Sequence, residues 1–199
     1  MPKSWLLNDN GIWIGEAPSY GTQIICKPCS ESASQGVDET GIFSTAPDVF
    51  TRFKGTQCIV QEYIDGEECE VPIFKFGNTV KVLSPVGIDL KGNKILDEQT
   101  SAENQYGFYH LGKTQASNII NRIQDHAEKA FRLMQMEVYG RIDFRISHDG
   151  TPYIFDISTM PYTTEHSSFS FAFAKLGLPY SDIYQAVITA ALQRLPSRN

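Results

Sequence analysis

The stretch from Gly140 to Ser158, GRIDFRISHDGTPYIFDIS, constrains the fold of this chain more than any other. Apolar and polar residues alternate on both sides of Asp149-Gly150, a pair that favours a two-residue hairpin turn. With those two residues as the loop, Arg141 faces Ser158, Ile142 faces Ile157, Asp143 faces Asp156, Phe144 faces Phe155 and Ile146 faces Tyr153. One face of the ribbon is then apolar, and the other sets two carboxylates directly opposite each other. Like charges so placed destabilise a sheet, so a compensating charge is required. A hard divalent cation with oxygen ligands, typically Mg²⁺ shared with substrate phosphates, compensates at least cost. Arg141 and Arg145 offer a metal-free alternative. The polar run from Thr159 to Ser168 leaves the same strand and carries hydroxyls, an imidazole and backbone amides, at a strand end where functional loops concentrate.

The rest of the chain reads as short strands followed by helices. Thr22 to Cys26 and Cys58 to Ile64 read as strands, and Asp65-Gly66 turns the second into Glu68 to Phe74. Gly77-Asn78 then leads to a strand from Val80 to Leu83. From Ser117 the period becomes helical, with Ile119, Ile120, Ile123, Ala127, Ala130, Phe131 and Met134 on one stripe. A short helix from Phe169 to Lys175 and a last helix from Ser181 to about Arg194 follow the hairpin. The stretch from Gly87 to Gly112 lacks apolar periodicity and reads as a mobile excursion near a ligand.

A net charge of −6 without any basic block argues against nucleic acid or an anionic membrane as partner. A phosphate ligand must then be held locally by a few lysines, backbone amides and metal. No stretch approaches the ~20 apolar residues of a membrane span, and the expected location is the cytoplasm. Cys26, Cys29, Cys58 and Cys69 are expected to be buried, reduced thiols. The spacing of the last two does not complete a zinc knuckle with Cys26-Lys-Pro-Cys29.

Three separated motifs, Arg141-Ile-Asp143-Phe, Asp156-Ile-Ser158-Thr-Met-Pro161 and Glu165-His166-Ser167, resemble the Arg-x-Asp, Glu-x-Asn-Thr-x-Pro-Gly and His-Ser patterns of ATP-grasp carboxylate–amine ligases. The likeness is greatest to D-alanine–D-alanine ligases and runs from about Pro2 to Leu192. It implies an α+β ATP-grasp fold of two small lobes with antiparallel sheets enclosing a nucleotide cleft. Residues 1–60 would form the lobe with the phosphate loop, and 61–199 the lobe with the metal hairpin and substrate loop. ATP and Mg²⁺ (or Mn²⁺) are the implied cofactors, and small amino-acid-like molecules the implied substrates.

Carried over residue by residue, the resemblance makes Asp143, Asp156 and Ser158 the metal ligands and Arg141 the residue that stabilises the acyl-phosphate and the tetrahedral intermediate. Lys27 matches the lysine on the α-phosphate side of ATP, although before a proline it also reads as an ordinary surface lysine. Ser34, with Ala33 and Gly36, matches the loop folded over the phosphates. Glu62, Tyr63 and Ile64 match the backbone that meets the adenine edge, and Glu68 the acceptor of the ribose hydroxyls; without the resemblance this segment is a hairpin with outward acids. His166 and Ser167 match the loop that holds the second substrate, and Ser167 also suits a helix cap.

The departures are specific. Asp156 stands for Glu, Ser158 for Asn, Tyr162 for Gly, and Thr100 for a phosphate-contacting lysine that Lys94 or Lys113 would have to replace. The chain begins where the family's central domain begins. The upstream domain is therefore expected in a longer polypeptide, in a partner, or nowhere if this is a reduced member; a partner domain or a homodimer is the expected assembly. A ligase is the expected function; a nucleotide-binding module that no longer catalyses, a ligase for other amino acids, and a purely structural role are the alternatives.

Overall fold

A computed structural model describes residues 1–19, 21–31, 37, 42–43 and 55–194 of the chain. The protein is α+β and divides into two compact units, Met1–Asp65 with Leu90–Gly107, and Gly66–Asp89 with Phe108–Asn199. Among the described residues no helix is long and apolar enough to cross a membrane.

The first unit is built on a sheet of β1 (Ser4–Leu7), β2 (Trp13–Ile14), β3 (Ile24–Pro28), β4 (Ile42–Phe43) and β5 (Cys58–Glu62), in the order β2-β1-β5-β3-β4. Leu7, Ile24, Cys26, Cys58 and Val60 alternate onto one side as its core. Cys26, Cys58 and Cys69 are buried thiols as expected, whereas Cys29, at the end of β3, is exposed.

The second unit carries β6 (Gly66–Phe76), β7 (Thr79–Val82), β8 (Val86–Asp89), β9 (Gly107–His110), β10 (Tyr139–Ser147) and β11 (Pro152–Ser158). Its order is β11-β10-β6-β8-β9, with β7 also paired to β6. Cys69, Val71, Ile73, Ile142, Phe144 and Ile146 form one face of this sheet. Helix α2 (Ser117–Leu133) closes it with Ile123, Ala127, Ala130 and Phe131. The apolar stripe departs from expectation at one place. Met134 lies past the helix end and is exposed, and Met136 takes its place in the core.

The opposite face of the sheet follows the other parity along β6: Glu68, Glu70, Pro72, Phe74. It is apolar only at its far end, where Phe169 and Phe173 of α3 (Ser168–Lys175) and Ile183 of α4 (Asp182–Arg194) close on Phe74. The charged end is left as a polar platform.

The stretch from Gly87 to Gly112, read from the sequence as an excursion, carries regular structure. It contains β8, the short helix α1 (Glu98–Ala102) and β9. Periodicity missed β8 because three of its four residues are buried, so no alternation marks it.

The hairpin register is correct where the carboxylates lie and wrong nearer the turn. Ser147 N donates to Thr151 O at 3.0 Å and Gly150 N to Ser147 O at 2.8 Å, so the loop is the three residues His148, Asp149 and Gly150, with Gly150 at φ 79°. Asp149 favours it by accepting from Ser147 Oγ at 2.6 Å and from Thr151 N at 3.0 Å. The extra loop residue slips the register, placing Ile146 opposite Pro152, Arg145 opposite Tyr153 and Phe144 opposite Ile154. A bulge at Phe155 then restores it, and Asp143 faces Asp156, Ile142 faces Ile157 and Arg141 faces Ser158.

Gly66, the first residue of β6, has φ 153°, and a Cβ there would sit 2.0 Å from Ile146 O. Gly66→Ala is expected to cost roughly 2–4 kcal/mol in urea unfolding, because strained φ and backbone overlap act together.

Candidate active site

Strand pairing assembles the polar platform. In register across β6, β10 and β11 lie Glu70, Asp143 and Asp156, with Glu68, Arg145 and Tyr153 in the row nearer the turn. Arg141 grips Asp143 as a fork, Nε to Oδ1 and Nη2 to Oδ2, each at 2.8 Å. Its third nitrogen, Nη1, lies 3.3 Å from Glu70 Oε2. Arg145 Nη2 sits 3.0 Å from Glu68 Oε2, and Nη1 donates to Gly66 O at 3.2 Å. The metal-free alternative is therefore half right. Arg141 does neutralise an aspartate, but Arg145 is committed to Glu68.

Glu70 and Asp143 are each 4% exposed, whereas Asp156 is exposed. Burial pushes the Asp143 carboxyl up to about 7; Arg141 pulls against that rise, and the negative charges of Glu70 and Asp156 add to it. Burial likewise opposes the charge of Arg141, but Asp143, Glu70 and Asp156 outweigh it and keep the guanidinium protonated. Three carboxyl groups surround one guanidinium, so when Asp143 is ionised the row carries more negative than positive charge, on hard oxygen donors. That donor set fits Mg²⁺ or Mn²⁺. Among the described residues no group of three His, Cys, Asp or Glu could by itself hold a metal ion; Mg²⁺ is usually bound by only one or two carboxylates together with substrate phosphates.

Ser158 ends β11 opposite Arg141, half-buried. The loop beyond it is tied by its own hydroxyls. Ser167 Oγ donates to Thr164 O at 2.6 Å and accepts from Ser170 N at 3.2 Å, so Ser167 caps α3. Tyr184 of α4 donates to Thr163 O at 3.2 Å, and the His166 ring lies against Phe108 with centroids 4.9 Å apart. Tyr162, where the family pattern has glycine, is 59% exposed.

The other candidates lie on the first unit, apart from Lys113 on the second. Lys27 sits on β3 opposite Ile59, half-buried. The amides of Glu62 and Tyr63 donate to Lys3 O and Gln23 O, both at 2.9 Å, and Tyr63 OH reaches Lys94 O at 3.3 Å. Ile64 follows them, half-buried. Thr100 is buried: its amide is capped by Asp97 Oδ1 at 2.8 Å and its hydroxyl accepts from Asn93 Nδ2 at 3.4 Å. Lys94 and Lys113 are exposed. Ser34, Ala33 and Gly36 fall outside the described residues.

The sequence reading missed Glu70 and the commitment of Arg145 to Glu68. The signal was present in the parity of β6, whose alternate acids Glu68 and Glu70 face Arg145 and Asp143 once the strand is paired with β10.

The two sheets, with the charged hairpin platform in the second unit, belong to an ATP-grasp fold. Superposition supports the fold along nearly the whole chain. The D-alanine–D-alanine ligase from Bacillus anthracis complexed with ATP matches 97% of this chain and 61% of its own, with TM-score 0.69 and 20% identity. The VanG D-Ala:D-Ser ligase from Enterococcus faecalis matches 98% of this chain and 57% of its own, with TM-score 0.69 and 16% identity. The family model described as D-ala D-ala ligase C-terminus matches residues 4–189, and the chain belongs to that family. It is similar to D-alanine–D-alanine ligase A of Mesorhizobium japonicum, 25% identical over 200 residues covering 97% of this chain and 56% of the relative. It is similar also to the D-alanine–D-alanine ligase of Geobacillus thermodenitrificans, 26% identical over 192 residues, covering 96% and 52%. The chain thus spans about half the length of these curated relatives.

Proposed function

We propose that the chain is the nucleotide-binding, catalytic part of an ATP- and Mg²⁺-dependent carboxylate–amine ligase acting on D-alanine or a similar small amino acid. The observation that carries this is the row Glu70, Asp143, Asp156 with Arg141 forked onto its centre. Asp143 and Asp156 would hold the cation, Ser158 supplying a weaker hydroxyl oxygen, and the cation supplies neutralisation of the ATP phosphates. Arg141 places fixed positive charge where negative charge develops, in a site where such preorganised charge acts strongly. A carboxylate oxygen attacks the γ-phosphorus, ADP departs, and an acyl-phosphate results. The amine then attacks the acyl carbon, phosphate leaves with the C–O bond electrons, and the nitrogen's surplus proton passes to the departing phosphate or to water. No enzyme nucleophile is required, since positioning and charge carry such chemistry.

Lys27, Ser34 and the stretch Glu62, Tyr63, Ile64 are assigned to ATP on the strength of the motif, and Glu68, oriented by Arg145, to its ribose. Because Glu62 and Tyr63 have committed their amides, the adenine contact falls to other groups of that stretch. His166 and Ser167, at the start of α3, are assigned to the acceptor substrate, and Tyr162 beside them favours an acceptor unlike D-alanine.

Thr100 favours a second reading. It is locked into a local clasp where a phosphate-contacting lysine would stand, as in a module that binds nucleotide without turning it over. Phosphate release from ATP, measured across a panel of D- and L-amino acids with and without Mg²⁺, separates the two. The ligase reading expects release that depends on both metal and amino acid; tight ATP binding with no release under any condition, with the remaining length of the relatives supplied, would establish the module instead.

A further inference from the structure

Arg141 depends on Asp143 for two of its three ionic contacts, and Asp143 is also the best-buried oxygen donor for the cation. These demands conflict. Each Asp143 oxygen already accepts one N–H from the guanidinium at 2.8 Å, and a divalent cation drawing on the same oxygens weakens both bonds just when Arg141 must be held still. Glu70 is placed to resolve the conflict. It stands beside Asp143 on the neighbouring strand, is 4% exposed, and keeps Oε2 at 3.3 Å from Nη1, the one terminal nitrogen that Asp143 does not engage. Its strand is the centre of the sheet, paired to both β10 and β8, so its backbone is fixed on both sides.

We propose that Glu70 is a positioning residue that keeps Arg141 aimed when a cation claims Asp143. The inference rests on the ligase reading above. Glu70 acts through Arg141 by retaining the Nη1 contact, and it also adds to the negative charge of the row.

The test follows the Arg141 Nε–H resonance in the isotope-labelled full chain, assigned by its loss in Arg141→Lys, as MgCl₂ and then Mg²⁺ with ADP are added. In the wild-type chain the signal is expected to shift with magnesium and to stay slow in exchange with solvent. In Glu70→Gln, which keeps shape and loses charge, exchange is expected to rise about tenfold or more once magnesium is present, because a charge-assisted bond has been reduced to a neutral one. Glu70→Asp, which restores charge with a shorter reach, should fall between the two and serves in its place if Glu70→Gln does not fold. In the ligase assay the same variants should lower kcat while leaving KM for ATP within about twofold, as removal of an interaction acting in the transition state does. Equal protection of Arg141 in wild type and in the Glu70 variants with magnesium present would overturn this proposal alone. A wild-type signal indifferent to magnesium and nucleotide would overturn the ligase reading, and the proposal with it.

Discussion

Asp143→Asn is expected to abolish the stabilisation of this chain by magnesium and nucleotide. At a ligand concentration about a hundred times Kd, binding to the native state alone adds about 2.7 kcal/mol. For a chain of this length that corresponds to a Tm rise of roughly 5–10 °C. The amide of the variant keeps the shape and one acceptor oxygen, but it removes the only carboxylate that is both buried and central to the row. Asp156 alone, exposed and one methylene shorter than the glutamate of the family pattern, does not reach as far toward a metal. The same substitution tests the buried proton. Asp143 loses its proton near the ordinary 3.8 when the chain is unfolded and at about 7 when it is folded. Between those values the native state binds the extra proton, so raising the pH through that window lowers wild-type stability in the absence of metal. Asp143→Asn should flatten that slope, and magnesium should flatten it in the wild type. A Tm rise with Mg²⁺ and ATP that survives the substitution would remove Asp143 from the cation site.

How far the fold and site could be read in advance turns on what each residue's local pattern encodes. Alternation around Asp149-Gly150 encodes a hairpin, and the facing of Asp143 and Asp156 was legible although the turn length was not. A three-residue loop and a bulge at Phe155 each move the register by one, in opposite senses. The helix over residues 117–133 was legible because one stripe of it is buried, and its end was not, since Gln135 takes a left-handed φ of 53° that carries Met136 rather than Met134 inward. Glu70 was illegible for a different reason. In β6 alone it is one of a run of acids that resembles a solvated edge, and only the pairing with β10, far along the chain, shows that it is buried beside an arginine. Strand β8 gave no signal because burial of Val86, Gly87 and Ile88 leaves nothing to alternate. Roles at the phosphates, the adenine and the acceptor came from the order of motifs, not from periodicity. Thr100 shows the limit of that route: its position matched a lysine, but its amide is capped by Asp97 at the start of α1 and its hydroxyl accepts from Asn93.

Arg141→Ala is expected to give the largest loss of stability of any substitution on the platform, and to silence the chemistry as well. It leaves Glu70 and Asp143 buried with Asp156 beside them and no cation between. Removing one partner of a buried ion pair typically costs about 3–5 kcal/mol, because the remaining charge is uncompensated. Urea unfolding at pH 8 without metal should show that cost in full. At pH 5 the cost should shrink, since Asp143, already shifted upward beside Arg141, then carries a proton and the native state gains from binding it. Magnesium should restore part of the stability at pH 8 by entering the same excess of negative charge, yet it should not restore turnover, which is expected to stay about a hundredfold to a thousandfold down for want of the fixed positive charge. Arg141→Lys separates the two roles. A lysine returns the charge but not the fork that matches both oxygens of Asp143, so stability should recover more than activity. Equal recovery of both would mean that charge alone, not the aim of the guanidinium, is what the platform requires of position 141. A stability in Arg141→Ala that does not vary between pH 5 and pH 8 would mean that the three carboxylates do not share one electrostatic site.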